Sequence, residues 1–280
     1  MRAASSCILS SVGRAVVVLG AVVVVGCSAL TSLDGYTGGG GTAADAGPVD
    51  AAGTVVSDAG RDAPGPATGF CSTFAKPPRL CVDFSGGVLV APGSASSFDD
   101  TFQKLGGQPP VLDPALFATA APSARFVIPG GGASQLSRSF PDDSPSVLEF
   151  GMSMRVASGA EANDLMEIRL GKPNDWKAAL FARRLPDGML QLWEVYALTD
   201  GGSAAPRWTL STMMPADTWT RMVWRVDANG KIAVTVDGSL ALEAQLEEPA
   251  IPSAGITFVA GYTDTTKDST VWVDDVYADF

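Results

Sequence analysis

Alternation of apolar and polar side chains with a period of two residues is the feature that most constrains this fold. It is clearest over residues 148–156, where Leu, Phe, Met, Met and Val occupy every second position. Successive side chains of a β-strand point to opposite faces, so this pattern predicts a strand with one buried face. Similar alternation recurs over 166–170, 222–226 and 232–236. No apolar stripe of helical period exceeds two turns, so we expect an all-β protein.

Short turn motifs separate the predicted strands. Pro186-Asp187-Gly188, Asn229-Gly230 and Asp237-Gly238 each lie between two apolar runs. Gly, Asn and Asp are the residues that tight hairpin turns accept, so each motif predicts a hairpin. Further strands are predicted at 256–262 and 270–280. Many short strands separated by turns favour a β-sandwich or jelly roll over a parallel sheet.

Part of this pattern resembles a known family. Residues 218–227 and 229–238 contain a Trp that opens a strand, alternating apolar residues, a Gly turn and a second strand that closes on Asp-Gly. This is similar to the laminin-G/concanavalin-like jelly-roll signature. Residues 271–276 resemble the closing strand of bacterial concanavalin-like domains, and residues 98–102 fit the start. The resemblance implies a concanavalin-like jelly-roll β-sandwich but no single function, because this fold hosts lectins, glycosidases, lyases and adhesion modules.

The N-terminus has the pattern of an export signal. Arg2 and Arg14 precede residues 15–25, which contain no polar side chain. A run of this length is too short to span a bilayer, which needs about 20 residues, and is typical of a secretory signal peptide. The alternative is an ordinary signal peptide followed by a chance Cys.

The end of this run resembles the bacterial lipobox, Val24-Val25-Gly26-Cys27. The resemblance implies that residues 1–26 are removed and that Cys27 carries diacylglycerol and an N-acyl chain such as palmitate. Two or more chains hold a protein stably on a lipid bilayer. Ser28 follows the Cys instead of the Asp that retains such proteins at the inner membrane. An outer-membrane location is therefore expected if the cell is Gram-negative.

Residues 27–69 have the composition of a linker. They contain four consecutive glycines, repeated Asp-Ala-Gly and few large apolar side chains. Such a segment buries too little apolar surface to offset the entropy of ordering, so we expect a flexible tether. Its root-mean-square reach as a Gly-rich coil is roughly 35 Å. The folded domain is then expected over 70–280.

Cysteine usage predicts one disulfide. Cys7 lies in the signal and Cys27 is the lipidation site, which leaves Cys71 and Cys81. Two cysteines this close in an exported protein usually pair. The alternative, a two-cysteine metal site, lacks further suitable ligands.

Composition and motifs argue against several function classes. The chain has no His and a formal net charge of −11. Without His there is no Ser-His-Asp or Cys-His nucleophile and no His-ligated zinc. The acidic balance disfavours nucleic acid as a partner. Concanavalin-like glycosidases carry Glu-x-Asp-x-x-Glu, which is absent. Glu149, Glu167 and Glu194 are therefore interpreted as exposed strand charges, with Arg169 beside Glu167 in a solvated pair.

Tryptophans are the candidates for ligand binding, because sugars stack on flat aromatic rings. Trp219, Trp224 and Trp272 occupy positions that the resemblance implies are core. Trp176 lies in a loop-like segment, Trp193 lies on a strand face, and Trp208 follows Pro206-Arg207. Any of these three is a candidate platform, and core or partial burial is the alternative for each.

Calcium is a candidate cofactor, because the resembling family often holds a structural Ca²⁺ with carboxylates. Asp274-Asp275 interrupts the alternation of the last strand, and Asp99-Asp100 would approach it if the ends of the domain pair. A β-bulge or an exposed acidic strand end would also explain the interruption.

Together these features predict a non-enzymatic, lipid-anchored envelope protein whose sandwich binds glycan or another surface polymer. The alternatives are a structural or protein-contact envelope module and a glycan-active enzyme with an unrecognised carboxylate site.

Overall fold

The computed structural model describes residues 69–160, 162–172, 175–196, 204–246, 255–261 and 267–280. These residues form strands and connecting turns, with one short 3-10 helix at Phe70–Thr73 and no α-helix. The described part contains no helix that is long and apolar enough to cross a membrane. The predicted signal peptide at 1–26, the lipidation site Cys27 and the linker up to residue 68 lie outside the described residues.

Fifteen strands follow one another along the described chain. They are β1 Leu80–Val82, β2 Asp100–Lys104, β3 Val111–Asp113, β4 Ser123–Ile128, β5 Ala133–Phe140, β6 Val147–Val156, β7 Asn163–Lys172, β8 Asp175–Arg184, β9 Met189–Tyr196, β10 Ala204–Met213, β11 Thr220–Asp227, β12 Lys231–Val236, β13 Ser239–Gln245, β14 Ile256–Ala260 and β15 Ser269–Asp279.

The strands form two antiparallel sheets. The eight-stranded sheet has the order β13-β12-β11-β6-β15-β4-β3, with β1 also paired to β15, and the seven-stranded sheet has the order β10-β9-β8-β7-β14-β5-β2. Strands that are distant in sequence are neighbours in both sheets, as in β6 beside β15 and β5 beside β14. The all-β jelly-roll sandwich predicted from the sequence is therefore confirmed.

The core lies between the inner faces of the two sheets. The alternating residues of 148–156 on β6 are all fully buried. Trp224 on β11 is the largest fully buried side chain of the described residues. From the other sheet come Met166, Ile168 and Leu170 of β7, with Phe258 of β14. Phe150 and Phe258 meet across the sandwich with ring centroids 4.8 Å apart. The period-two pattern thus identified the buried faces correctly.

The predicted hairpin turns join the strands that the sequence indicates. Gly188 at φ +89° lies between β8 and β9, and Gly230 at φ +78° lies between β11 and β12. Asp237 and Gly238, both with positive φ, turn β12 into β13. These left-handed backbone angles suit Gly and are tolerated by Asp, which explains the turn chemistry.

The first described residues pack on the outward face of the eight-stranded sheet. A disulfide joins Cys71 to Cys81 with a Cα–Cα distance of 5.7 Å, and Cys81 lies opposite Tyr277 of β15. The rings of Phe70 and Phe74 lie 6.1 and 5.2 Å from the Tyr277 ring. The chain therefore enters the sandwich across this face.

Candidate functional site

The outward face of the seven-stranded sheet carries a continuous row of residues across six strands. Strand register aligns Trp193 with Phe181, Phe181 with Glu167, and Glu167 with Val259. The row continues through Ser137 on β5 to Asp100 on β2. With strands about 4.8 Å apart, six strands extend over about 24 Å. Glu167 and Val259, in the middle of the row, are only 7% and 0% exposed, so the accessible parts of the row are its two ends.

Two half-buried aromatic rings form a platform at one end of this row. Phe181 and Trp193 stack with centroids 5.5 Å apart and an interplanar angle of 22°. Their strands are joined by the Pro186-Asp187-Gly188 turn, whose register places the two residues opposite each other. Because both are outward-facing and only partly buried, they offer flat apolar surface to solvent.

Polar groups border the platform. The Trp193 indole Nε1 donates a hydrogen bond to Oε1 of Gln191 at 3.2 Å. The guanidinium of Arg183 lies 4.4 Å from the Trp193 ring centroid and 5.7 Å from that of Phe181. Aromatic surface bordered by amide and guanidinium groups is the combination that binds flat, hydroxyl-rich molecules.

Arginine–carboxylate pairs occupy the middle of the face. Arg183 donates from Nε and Nη2 to the two carboxylate oxygens of Asp164, at 2.6 and 3.0 Å. Arg169 donates in the same two-pronged way to Glu167, at 2.8 and 3.0 Å, and its Nη2 also reaches Oε1 of Gln135 at 3.4 Å. Bidentate pairs of this kind fix the planes of both guanidinium groups.

Hydroxyl groups continue the face beyond these pairs. Ser139 and Thr257 share a hydrogen bond of 2.9 Å between their side-chain oxygens. Ser137, two residues before Ser139, is half-exposed on the same side of β5. The face thus changes from aromatic at β9 and β8 to hydroxylic at β5, because Thr257 of β14 is only 7% exposed.

The structure separates the three tryptophans predicted as platforms. Trp193 lies on the outward face described above. Trp208 is aligned with the buried Leu192 and packs against the core, so it belongs to the inner face. Trp176 was predicted to lie in a loop-like segment, and this was wrong, because it is half-buried near the start of β8. All three tryptophans are half-buried, so the partial burial considered as the alternative applies to each, and Trp193 is distinguished by its place on the outward face.

Sequence reasoning missed Phe181 and Arg183 as partners of Trp193. Their signal was present, because both alternate with Leu180 and Ala182 and lie across a recognisable hairpin from Gln191 and Trp193. Glu167 and Glu194 were interpreted as exposed charges, and this was wrong for both, since they are 7% and 3% exposed. Glu167 is buried by its own ion pair with Arg169, which the sequence did predict.

The tryptophans predicted as core have three different environments. Trp224 is completely buried between the sheets. Trp272 is 9% exposed on the outward face of the eight-stranded sheet, where its Nε1 donates to Asp113 at 2.9 Å and lowers the pKa of that carboxyl. Trp219 is half-buried just before β11. Only Trp224 therefore matches the core position in full.

Asp274 and Asp275 lie in a β-bulge of β15, one of the explanations considered for the broken alternation. The register of β15 with β6 shifts between Asp274 and Tyr277, and Asp275 has φ +51°. Neither is an exposed strand end, because they are 0% and 1% exposed. Asp274 accepts from the Ala118 and Asp275 backbone N–H groups, both at 2.9 Å. Burial and the neighbouring Asp275 charge raise the pKa of Asp274 to about 7.

The two acidic pairs predicted to approach each other lie on different sheets. Asp99 precedes β2 of the seven-stranded sheet and pairs with Arg138, whereas Asp274-Asp275 belongs to the eight-stranded sheet. Asp275 is hydrogen-bonded by the Thr119 and Ser153 hydroxyls instead. Within the described ranges, no group of three or more His, Cys, Asp or Glu residues is arranged to hold a metal ion. The expected pairing of the domain ends through these acids is therefore not found, because Asp100 pairs with β5 and not with β15.

A cavity of about 450 Å³ opens at one end of the sandwich. Its lining includes Gln108, Ser158, Asp268 and Ser269. No aromatic ring contributes to this lining, so the cavity offers no aromatic surface on which a sugar could stack.

Comparison with known proteins finds only distant structural likeness. No family model and no curated protein matches the chain. Among solved structures it is similar to the cellulose-induced protein Cip1, with 15% identity, TM-score 0.47, and coverage of 71% of this chain and 96% of that one. It is also similar to an alginate lyase Aly36B mutant in complex with alginate trisaccharide, with 12% identity, TM-score 0.48, and coverage of 72% of this chain and 98% of that one. The binding domain of botulinum neurotoxin DC is similar with 10% identity, TM-score 0.42, and coverage of 64% of this chain and 42% of that one. At these scores the likeness carries no argument about function.

Proposed function

We propose that this protein is a non-catalytic, lipid-anchored glycan-binding module whose ligand lies across the outward face of the seven-stranded sheet. The observation that carries the proposal is the half-buried, outward-facing Phe181–Trp193 stack with Arg183 held against it. A pyranose ring has an apolar face of C–H groups and an edge of hydroxyls. Such a ring stacks on the aromatic pair while its hydroxyls meet the polar groups that border the pair.

The row across the sheet favours a polymer over a single sugar. The platform lies on β8 and β9, and the half-buried hydroxyls of Ser137 and Ser139 on β5 lie further along the same face. One sugar covers only part of the roughly 24 Å that six strands provide. A chain of several sugars would contact both the platform and the hydroxyls.

Binding is favoured over catalysis by the state of the carboxylates on this face. Glycoside hydrolysis needs two carboxyl groups that reach the scissile bond, one as acid and one as base or nucleophile. Asp164 and Glu167 each use both oxygens to accept hydrogen bonds from an arginine. Carboxylates held in this way are occupied as structural partners.

The predicted N-terminal tether suits an anchored receptor. The first described residues lie on the outward face of the other sheet, where Phe70 and Phe74 contact Tyr277. A flexible linker from Cys27, with a reach of roughly 35 Å, would leave the Trp193 face free to meet a polymer outside the lipid surface.

A retention screen tests the proposal. The purified full-length protein in detergent micelles is run through native gels that contain soluble polysaccharides, and each polymer is then analysed by size-exclusion chromatography. We expect retarded migration with unchanged polymer length. A shortened polymer would identify an enzyme, and unaltered migration across the panel would favour the alternative of a structural or protein-contact module.

A further inference from the structure

We infer that the glycan bound by the Trp193 face is electrically neutral and is not a polyuronate or sulfated polymer. This inference rests on the glycan-binding function proposed above and specifies the substrate class. It is carried by Arg169 and Arg183, which among the described side chains are the groups at the centre of the face that would otherwise recognise an anionic sugar.

Recognition of a sugar carboxylate or sulfate by arginine uses the paired N–H groups of the guanidinium fork. Arg183 and Arg169 each already donate these paired N–H groups to a carboxylate. Arg183 directs Nε and Nη2 to Asp164, and Arg169 directs the same two atoms to Glu167. Nη2 of Arg169 has a further acceptor in Gln135. An anionic ligand would have to displace a carboxylate from each arginine.

Such displacement is unfavourable because the carboxylates are buried. Asp164 is 3% exposed and Glu167 is 7% exposed. A buried carboxylate that loses its ionic partner keeps its desolvation cost without compensation. The pairs therefore stay closed, and each guanidinium acts as a neutralised planar surface. Arg183 in this state lies over one face of the Trp193 ring, whose centroid is 4.4 Å away.

The charge of the whole chain acts in the same direction. The formal net charge is −11, so a polyanion approaching the protein is repelled at long range. Because Asp164 and Glu167 neutralise Arg183 and Arg169, these two arginines add no net positive charge to offset this repulsion. A neutral polymer meets neither obstacle.

A two-class binding experiment tests the inference. Full-length protein is run in native gels that contain galactomannan or hydroxyethyl cellulose as neutral polymers, and alginate or polygalacturonate as anionic ones. We expect retardation by a neutral polymer that persists in 0.5 M salt, and none by the anionic polymers. Retardation by an anionic polymer that is lost in salt would overturn the inference while the binding function stands. If no polymer retards the protein, the proposed function itself fails.

Variants that open one pair add a gain-of-function measurement. Glu167→Gln and Asp164→Asn each remove the negative charge that neutralises an arginine, so we expect polygalacturonate to retard either variant under conditions in which it does not retard the wild type. Glu243→Gln is the matched control, because it releases Lys231 from an exposed ion pair of 2.6 Å on the other sheet with the same change in charge. Equal retardation of the control by polygalacturonate would show that net charge alone is responsible. It would contradict the inference that pairing with Asp164 and Glu167 keeps the two arginines from binding an anionic polymer. Because two different variants are used, misfolding of one still leaves the test decisive.

Discussion

The guanidinium of Arg183 lies 4.4 Å from the centroid of the Trp193 ring, on the outward face of the seven-stranded sheet. The contact joins neighbouring strands, and the same guanidinium is held from β7 by the buried carboxylate of Asp164. A cation over an indole contributes about 0.5–2 kcal/mol, depending on how far it is desolvated. Three strands therefore fix the position of one aromatic surface, which gives the face a preorganised centre for a ligand.

Stability should depend on pH through the acids of the β15 bulge. Burial raises the pKa of Asp274 to about 7, and burial also raises the pKa of Asp275. The folded state then binds these protons more tightly than the unfolded chain, whose aspartates titrate near pH 4. The free energy of unfolding should fall as pH rises from about 4 to about 7, by at most about 1.4 kcal/mol per pH unit for each group. Urea unfolding at pH 5 and pH 7.5 measures the difference.

Substitution within the bulge separates this effect from general charge repulsion. Asp275→Asn removes the like charge beside Asp274, so the difference in unfolding free energy between the two pH values should shrink. Asp279→Asn, an exposed position on the same strand, should leave the difference unchanged. Equal behaviour of the two variants would refute the assignment to the bulge.

Gly151 of β6 is required by the ring of Tyr277. A Cβ added at Gly151 would lie 2.3 Å from Cε1 of Tyr277, whose hydroxyl donates to Glu149 at 2.6 Å. Gly151→Ala should therefore destabilise the fold by about 1–3 kcal/mol through overpacking. Thermal unfolding measures this loss against Gly86→Ala, where the added Cβ has nothing within 4 Å. A Gly151→Ala protein as stable as the wild type would show that the ring is free to move aside.

Local features of this fold were readable from the sequence. Period-two alternation identified β6 and β11, and the turn residues located Gly188, Gly230 and Gly238 between the correct strands. These signals depend on contacts between residues close in the chain. The broken alternation at Asp274-Asp275 was also visible, and a bulge was among its explanations.

Long-range partners could not be read in the same way. Ala118 and Thr119 reach the Asp274-Asp275 bulge from 156 positions away, and no local pattern specifies that contact. Burial of Glu167 likewise depends on its alignment between β8 and β14. Of the candidate site, sequence reasoning identified Trp193 and the Glu167–Arg169 pair, but not that β7, β8 and β9 bring them onto one face.

The disulfide predicts a thiol count. Cys71 and Cys81 are bonded and hold the Phe70–Thr73 turn beside β1. Protein prepared without reductant and denatured in urea should show no reaction of these two residues with a thiol reagent, and both should react after reduction. A Cys71→Ser, Cys81→Ser double variant supplies the background signal from other cysteines. Two additional reactive thiols before reduction would show that the bond does not form in solution.

The proposed lipid anchor predicts that membrane attachment depends on Cys27, which lies outside the described part of the chain. If Cys27 is acylated, cells fed an alkyne palmitate analogue should label the protein, and Cys27→Ala should abolish labelling and release the protein from the membrane fraction. Cys7→Ala is the matched control, because Cys7 falls in the predicted signal peptide. Equal labelling of the Cys27→Ala protein would refute the lipobox interpretation.

The most direct test of the binding account is the loss of affinity on removing one ring. Native gels with increasing galactomannan or hydroxyethyl cellulose give the affinity of the wild type, of Trp193→Ala and of Phe70→Ala. Phe70 is the matched control, since it also is a half-buried ring with an arginine over it, Arg221 at 4.6 Å, but lies on the opposite sheet. Trp193→Ala should weaken binding by about tenfold, the value of one stacked aromatic contact, and Phe70→Ala should bind as the wild type does. Unchanged binding by Trp193→Ala, or an equal loss in both variants, would contradict the proposal that the Trp193 face holds the glycan.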